Sequence, residues 1–534
     1  MLLGTLFFAA SLTPSLLPRE TLLQGALSGV SFAAGYGIGA FLSSLWSYLG
    51  LPRAAPTRRM LLVRLAALAA AMAVAAVFLW QASEGQNSIR LLMGLEPVET
   101  ARPFSVASIA AAVFLIAILV YRAFALAFRA VARWLDRHVP PRLSRALTLV
   151  MMGALIWTVG NGVLLSSALR ALDETYRQLD RLAEDAVAQP LDPLKTGSAA
   201  SQIDWDELGR HGRRMVAAGP TRAEIEDFTG RPALEPLRVY VGLNSAETTE
   251  DRAALALAEL RRQGAFDRSV LVILTPTGTG WVDQKSQRPL EYLLHGDVAT
   301  VAVQYSYLPS WLALFVEPQY GLETAQAVFD AVYGHWTELP PDRRPRLYLH
   351  GISLGAMNSD LAADLFKIIG DPFHGAFWAG PPFPSRTWRQ ATEARQPGSP
   401  AWLPRFRDGS LIRFTAQENT LERGHAPWGA MRIVFLQYAS DPVTFFEPQT
   451  IWRPPEWMSP PRGPDVSPRL DWYPVVTFLQ LALDIATAVQ APLGHGHVYA
   501  AEHYIDGWRA ILDPPEWDDD EIDRLKALFA GWRG

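Results

Sequence analysis

The sequence predicts an α-helical multi-span membrane domain followed by an α/β domain built on a mostly parallel sheet with helices on both faces. Three observations carry this. The first 170 residues hold several apolar stretches of membrane-spanning length. After Arg170 the chain mixes charge, proline and short apolar runs as a soluble domain does. Within that second part, β-rich runs alternate with segments of helical period. At 534 residues the chain is too long for one ordinary core. The expected division is a transmembrane domain over 1–170, a stalk or connecting helical segment over 171–230, and an α/β domain over 231–534.

Five spans are drawn at roughly 2–18, 22–49, 60–80, 105–127 and 146–168. Each of the last four can cross a hydrocarbon core of about 30 Å at about 1.5 Å per residue. The first, "MLLGTLFFAASLTPSLLP", is short and contains Pro14; it is read as a retained span, with a cleaved signal or a re-entrant segment as alternatives. Arginine placement orients the set. The 51–64 connection carries Arg53, Arg58, Arg59 and Arg64, and the 122–145 connection carries Arg122, Arg129, Arg133, Arg137, Arg142 and Arg145 against Asp136. Both are therefore expected on the cytoplasmic side, which delivers residue 170 onward to the extracytoplasmic face. A basic amphipathic stretch lying on anionic lipid would mark the same leaflet.

A net charge of −5 and a pI near 6.1 carry no global nucleic-acid signal, and no basic stripe interleaved with aromatics occurs in the soluble part. The chain has no cysteine, which excludes disulfides, thiolate metal sites and a cysteine nucleophile. No cofactor and no metal are expected.

Seven short apolar runs with turn residues at their ends read as strands: 237–243, 269–276, 298–307, 346–351, 375–380, 411–417 and 432–440. Helical patterns such as "TEDRAALALAELRRQG" and "GLETAQAVFDAVYGHW" lie between the earlier ones. Two Pro- and Trp-rich regions, 381–410 and 445–474, interrupt the alternation and are expected to run over the sheet as a lid.

One of those strands ends in Gly351-Ile352-Ser353-Leu354-Gly355, and "LGAMNSDLAADLFKII" follows as a helix. A serine hydroxyl is a poor nucleophile near neutral pH and needs an imidazole base oriented by a carboxylate. The sharp strand-to-helix turn of a nucleophile elbow supplies the geometry, and glycines on either side let the chain pass close to itself. The α/β-hydrolase fold places its partners in the order Ser, acid, His. Here Asp441 follows the strand "RIVFLQYAS", and His497 lies in "PLGHGHVYAAEHYIDGW" ahead of a terminal helix, with His495 as a competing base. Asp441 precedes Pro442, so an ordinary turn starter is its alternative reading. For the developing oxyanion, the backbone amide of Leu354 is one expected donor. The loop "TPTGTGW" over 275–281 offers a second near Thr277 or Gly278, against the alternative of a simple Gly-rich turn.

With "SLTPSLLPR" near the start, "QYSYLPS" (304–310), "GISLG", "LQYASDP" (436–442), "RGPDVSP" (462–468) and "GHGHVY" (494–499), the chain resembles the bacterial membrane-anchored α/β-hydrolase family, in which a multi-span amino-terminal domain precedes a serine-hydrolase domain. The resemblance covers nearly the whole chain. It implies Ser353, Asp441 and His497 as the triad and a place in the bacterial cytoplasmic membrane. Some related membrane hydrolases resemble esterases acting on aminoacylated glycerolipids, which implies a lipid or lipid-like ester as substrate. Trp388, Trp402, Trp428, Trp452, Trp457 and Trp472 would suit an interfacial substrate, or else pack under long loops. The expected activity is that of a serine esterase or lipase. Its alternatives are an acyltransferase using the same triad, and a membrane scaffold or transporter with a degenerate hydrolase domain.

Overall fold

The structure, a computed structural model, describes residues 1–52, 57–157, 180, 187–310, 312–313, 318–423 and 426–532. The chain divides into two compact units. The first comprises Met1–Leu172 with Glu447–Met458 and Pro464–Asp484; the second comprises Asp173–Phe446, Ser459–Gly463 and Ile485–Gly534.

In the first unit, α1 (Leu2–Ser11), α2 (Thr21–Tyr48), α3 (Arg58–Arg90), α4 (Pro103–Leu135) and α5 (Pro141–Trp157) follow in order. Three of them, α2, α3 and α4, are long and apolar enough to cross a membrane. Leu61, Val63, Val77, Leu115, Ile116 and Leu119 on α3 and α4 are each more than half exposed, which water would penalise and lipid tails would not. The count of five spans is corrected at its start. The first apolar segment forms a helix of only 10 residues, about 15 Å long, half of a hydrocarbon core. Of the fifth expected span, residues 158–168 lie outside the described residues.

Close helix packing here depends on small residues along α2. An ideal Cβ on Gly29 would lie 2.7 Å from the Ala110 carbonyl oxygen on α4, and one on Gly35 would lie 2.6 Å from that of Leu3 on α1. Neither backbone could yield, so glycine is needed for these approaches.

The "SLTPSLLPR" stretch turns between α1 and α2 with Leu12, Leu16 and Leu17 buried. It is held by the segment from 464 to 484. Asp484 Oδ2 accepts the Leu16 amide at 3.1 Å, and its Oδ1 accepts Arg19 Nε at 3.3 Å. Gln480 Nε2 donates to the Thr13 carbonyl at 3.0 Å. Farther along α3, Ser88 pairs with Ser467 at 2.7 Å, and Glu84 accepts Arg469 Nη1 at 3.0 Å. The sequence reading places residues 445–474 over the sheet as a lid. Most of that stretch instead belongs to the membrane-type unit, because its polar side chains find their partners there.

The second unit is built on seven parallel strands: β1 (Leu237–Val241), β2 (Val270–Thr275), β3 (Val298–Val303), β4 (Arg346–Ile352), β5 (Gly375–Ala379), β6 (Ile412–Thr415) and β7 (Arg432–Leu436). Six lie within runs that the sequence marks, and β4 runs one residue past its run, to Ile352. Their order across the sheet is β1-β3-β2-β4-β5-β7-β6. All except the first residues of β4 and β7 are buried, as expected for a sheet covered on both faces.

Residues 204–230, expected to connect, are packed into this unit through α6 (Gly209–Ala217) and α7 (Arg222–Thr229). Leu208, Met215 and Ile225 are buried there. The helices α8 (Thr249–Arg262), α9 (Gln284–Leu293) and α10 (Pro318–Glu338) fill the early crossovers. The helix expected after Ser353 is two pieces, α11 (Leu354–Ala362) and α12 (Leu365–Ile368). Then come α13 (Arg386–Glu393), the short α14 (Pro442–Phe445), α15 (Val476–Thr487), of which the part up to Asp484 belongs to the first unit, α16 (Ala501–Leu512) and α17 (Asp519–Phe529). Helix α16 covers β5: Phe377 packs edge-on against Tyr504 and Trp508, with ring centroids 5.7 and 5.1 Å away.

Register aligns the strand ends that matter. Thr275 lies opposite Gly351, Ile352 opposite Ala379, and Ala379 opposite Leu436. The carboxyl ends of β2, β4, β5 and β7 therefore stand side by side, where open parallel sheets bind their ligands.

Candidate active site

Ser353 is the single residue between β4 and α11. Its φ of 56° and ψ of −129° place it in a region that L residues avoid, at a cost of about 1–3 kcal/mol. The surroundings hold it there. Its amide donates to the Ala379 carbonyl at 3.0 Å, and its carbonyl accepts the Met357 amide at 3.2 Å. The turn is tight enough that an ideal Cβ on Gly355 would lie 2.1 Å from the Thr275 carbonyl oxygen. The second glycine of the pentapeptide is thus required by the end of β2.

Asp441 begins α14 and is fully buried. Its carboxylate makes two kinds of contact, one with the turn and one with an imidazole. Its Oδ1 accepts the Val443 amide at 2.9 Å, capping the short helix that Pro442 opens. Its Oδ2 meets His497 Nδ1 at 2.7 Å. Of the two candidate histidines, His497 is the one whose ring reaches the carboxylate. His495 instead shapes the loop, with its amide donating to the Pro492 carbonyl at 3.1 Å. The loop is pinned where Gly496 donates to Ser440 Oγ at 2.8 Å and His497 donates from its amide to the Ala488 carbonyl at 3.3 Å.

His497 Nε2 is buried and has no hydrogen-bond partner among the described residues. An ideal Cβ on Gly380 would lie 2.7 Å from His497 Cε1, the carbon between the two ring nitrogens. Ser353 thus binds the carbonyl of Ala379 while His497 rests against the next residue, so both flank one peptide bond. Catalytic hydrogen bonds are commonly open in unliganded sites and tighten around the substrate.

The Gly-rich loop after β2 is strongly braced. Tyr240 donates to the Gly280 carbonyl at 2.9 Å, and Gln304 Nε2 donates to that of Thr279 at 3.1 Å. This corrects one expected donor. The Thr277 amide is committed to the Trp281 carbonyl at 3.0 Å, because the loop closes on itself there. The Gly278 amide faces the Ser310 hydroxyl at 3.2 Å, a partner that can rotate away. Leu354 is the first residue of α11, where backbone amides lack an acceptor within the helix. Its side chain is buried with Leu308, Ala313 and Met357.

Sequence reasoning assigned no role to several residues that build this site. Gln437 receives Trp388 Nε1 at 2.6 Å and donates to the Trp402 carbonyl at 2.8 Å, tying the segment after β5 to the end of β7. Tyr499 donates to Asp441 Oδ2 at 2.7 Å. Both residues stand inside quoted motifs, "LQYASDP" and "GHGHVY", and that was the only signal. Of the six tryptophans, Trp388 and Trp457 are buried, while Trp452 is 68% exposed. His350 lies under the elbow, with Nδ1 2.6 Å from the Phe377 carbonyl, and burial pushes its pKa down to about 4. Among the described residues no group of three or more His, Asp or Glu is placed to hold a metal.

Residues 237–525 match the family described as the alpha/beta-hydrolase family, and residues 12–220 match that described as the alpha/beta-hydrolase family N-terminus. No curated protein and no solved structure matches the chain.

Proposed function

The chain belongs to the alpha/beta-hydrolase family, and from that premise we propose that it is a membrane-anchored serine hydrolase cleaving a carboxylic ester. Ser353 is the nucleophile, His497 the general base and acid, and Asp441 the residue that orients the imidazole. The observation that carries this reading is the buried Asp441–His497 pair, whose free Nε2 lies beside the same Ala379–Gly380 peptide that holds strained Ser353.

In this reading His497 Nε2 takes the Ser353 hydroxyl proton as Oγ bonds to the ester carbonyl carbon. The Asp441 carboxylate stabilises the imidazolium that forms. Negative charge gathers on the former carbonyl oxygen, stabilised by the Leu354 amide and by the Gly278 amide once Ser310 turns away; losing one such donor typically costs about 100-fold to 1,000-fold in turnover. Collapse breaks the ester C–O bond, and the imidazolium returns its proton to the leaving alcohol. Water then attacks the acyl-serine by the same route and releases the acid.

The proposed substrate is a lipid ester, such as an aminoacylated glycerolipid, met at the extracytoplasmic face of a bacterial cytoplasmic membrane. Support for that side comes from α3, about 50 Å long at 33 residues. It starts at basic Arg58 and Arg59, and its polar last third meets Ser467 and Arg469. If the arginines face the cytoplasm, the chain around 447–484 emerges on the other side, however many spans precede it.

A fluorophosphonate probe should label the purified full chain and fail to label Ser353→Ala. Lipid extracts of cells carrying the two forms should differ in the ester consumed. Equal labelling of both proteins would sink the proposal.

A further inference from the structure

Asp441 is more heavily bonded than orienting one histidine requires. Its Oδ2 receives His497 Nδ1 at 2.7 Å, the Tyr499 hydroxyl at 2.7 Å and the Thr444 hydroxyl at 3.3 Å, while Oδ1 receives the Val443 amide at 2.9 Å. Tyr499 is fully buried and cannot move aside. Its ring stacks on Tyr438 with centroids 4.4 Å apart, and an ideal Cβ on Gly380 would lie 2.9 Å from its hydroxyl oxygen. Tyr438 is fixed in turn, accepting the Ala500 amide at 3.1 Å and meeting His503 Nδ1 at 2.5 Å.

We propose that Tyr499 is a positioning residue acting through Asp441: by donating to the oxygen that His497 uses, it draws off part of the carboxylate's charge and sets the pH range in which His497 works as a base. This rests on the hydrolase reading above. The physical argument is competition for one oxygen. An ionised carboxylate stabilises a neighbouring imidazolium, and each further donor on it weakens that pull. Burial and Asp441 hold the Tyr499 phenol well above its ordinary pKa, so it remains a donor throughout the working range. The hydroxyl also stops the carboxylate rotating, which fixes the plane of the imidazole.

Other ionisable groups stand around this cluster. Tyr438 faces it from the end of β7, and His503 and Tyr504 face it from α16, with Asp283 behind Tyr504 and Lys526 near His503. His495 lies in the same loop. Burial pushes His503 down to about 4, so it stays neutral through the assay range.

The test is the pH profile of kcat/KM for a p-nitrophenyl ester, measured on the full-length protein in detergent for wild type and Tyr499→Phe. Removing the donor should raise the midpoint of the acid limb by about 0.5 to 1 pH unit, so that activity on that limb falls about 3-fold to 10-fold. The high-pH plateau should change by less than about 3-fold. Replacing Tyr499 by 3-fluorotyrosine keeps the shape, strengthens the donor and should lower the midpoint; it decides the matter if Tyr499→Phe does not fold. Loss of activity by the same factor at every pH, or an unmoved midpoint with both replacements, overturns the role given to Tyr499. Turnover that survives Ser353→Ala overturns the hydrolase reading and this role together, whereas an unmoved midpoint with an inactive Ser353→Ala overturns only the latter.

Discussion

Acidification should destabilise the sheet-bearing unit through histidines that burial keeps neutral, and His350 is the place to measure it. This imidazole is 4% exposed, lies among Phe377, Tyr504 and Trp508, and donates from Nδ1 to the Phe377 carbonyl. Its pKa falls from 6.5 to about 4 because the charged form would lose its hydration. Below pH 6.5 the unfolded chain takes up a proton here and the folded chain does not. Stability is therefore complete above that value and is lost as pH falls toward 4. The gap corresponds to about 3 kcal/mol, a large part of the roughly 5–15 kcal/mol that holds a typical domain together. Buried Asp283 and Glu291, whose pKa values burial raises, act with the opposite sign and gain stability as pH falls. Comparison with a variant isolates the histidine.

His350→Asn keeps a donor for the Phe377 carbonyl and removes the titration. The lost ring should cost about 1–3 kcal/mol at neutral pH, and the difference from wild type should shrink as pH falls. Urea unfolding followed by tryptophan fluorescence, at several values between about pH 7.5 and about pH 4.5, measures that difference through the midpoint and slope. Wild-type and variant curves that stay parallel across the window would refute the argument, because a buried neutral imidazole must contribute a pH slope.

Two further perturbations follow from packing. Gly355→Ala puts a Cβ 2.1 Å from the Thr275 carbonyl oxygen and 3.0 Å from that of Pro276; both are backbone, so the elbow must shift. A displacement on the order of 1 Å should cost about 100-fold in kcat/KM, and wild-type turnover would contradict it. Arg19→Ala removes a buried cation from Asp484, leaving the Leu16 amide and the Ser15 hydroxyl among the groups on the carboxylate. Stability of the full chain in detergent should fall by about 3 kcal/mol, with part recovered in Arg19→Ala/Asp484→Asn, as read from thermal unfolding.

The residues that were easiest to read are those whose role follows from their own few neighbours. Each of the seven strands coincides with a short apolar run, β4 passing its end by one residue, because burial on both faces demands continuous apolar residues. Ser353 is legible because a strand, two glycines and a helix are all adjacent to it in sequence. The Thr277 assignment failed for a local reason of another kind: a loop amide facing its own turn is spent, and spacing alone does not reveal which amides a turn consumes. Tyr499 and Gln437 show no role in the sequence, since their partners Asp441, Trp388 and Trp402 lie 35 to 58 residues away.

By itself the sequence determined the class of each half, the strand set and the strand-to-helix turn at Ser353, since apolar period and turn chemistry are properties of neighbouring residues. Tertiary structure decided the rest: that β7 rather than β6 pairs with β5, that the first apolar segment makes a 10-residue helix, and that residues 464–484 join the amino-terminal helices. It also decided that His497, and not His495, reaches Asp441. The reason is the same throughout. Which buried polar group meets which depends on contacts closed across hundreds of residues, such as Arg19 with Asp484, and no local pattern encodes the partner's identity.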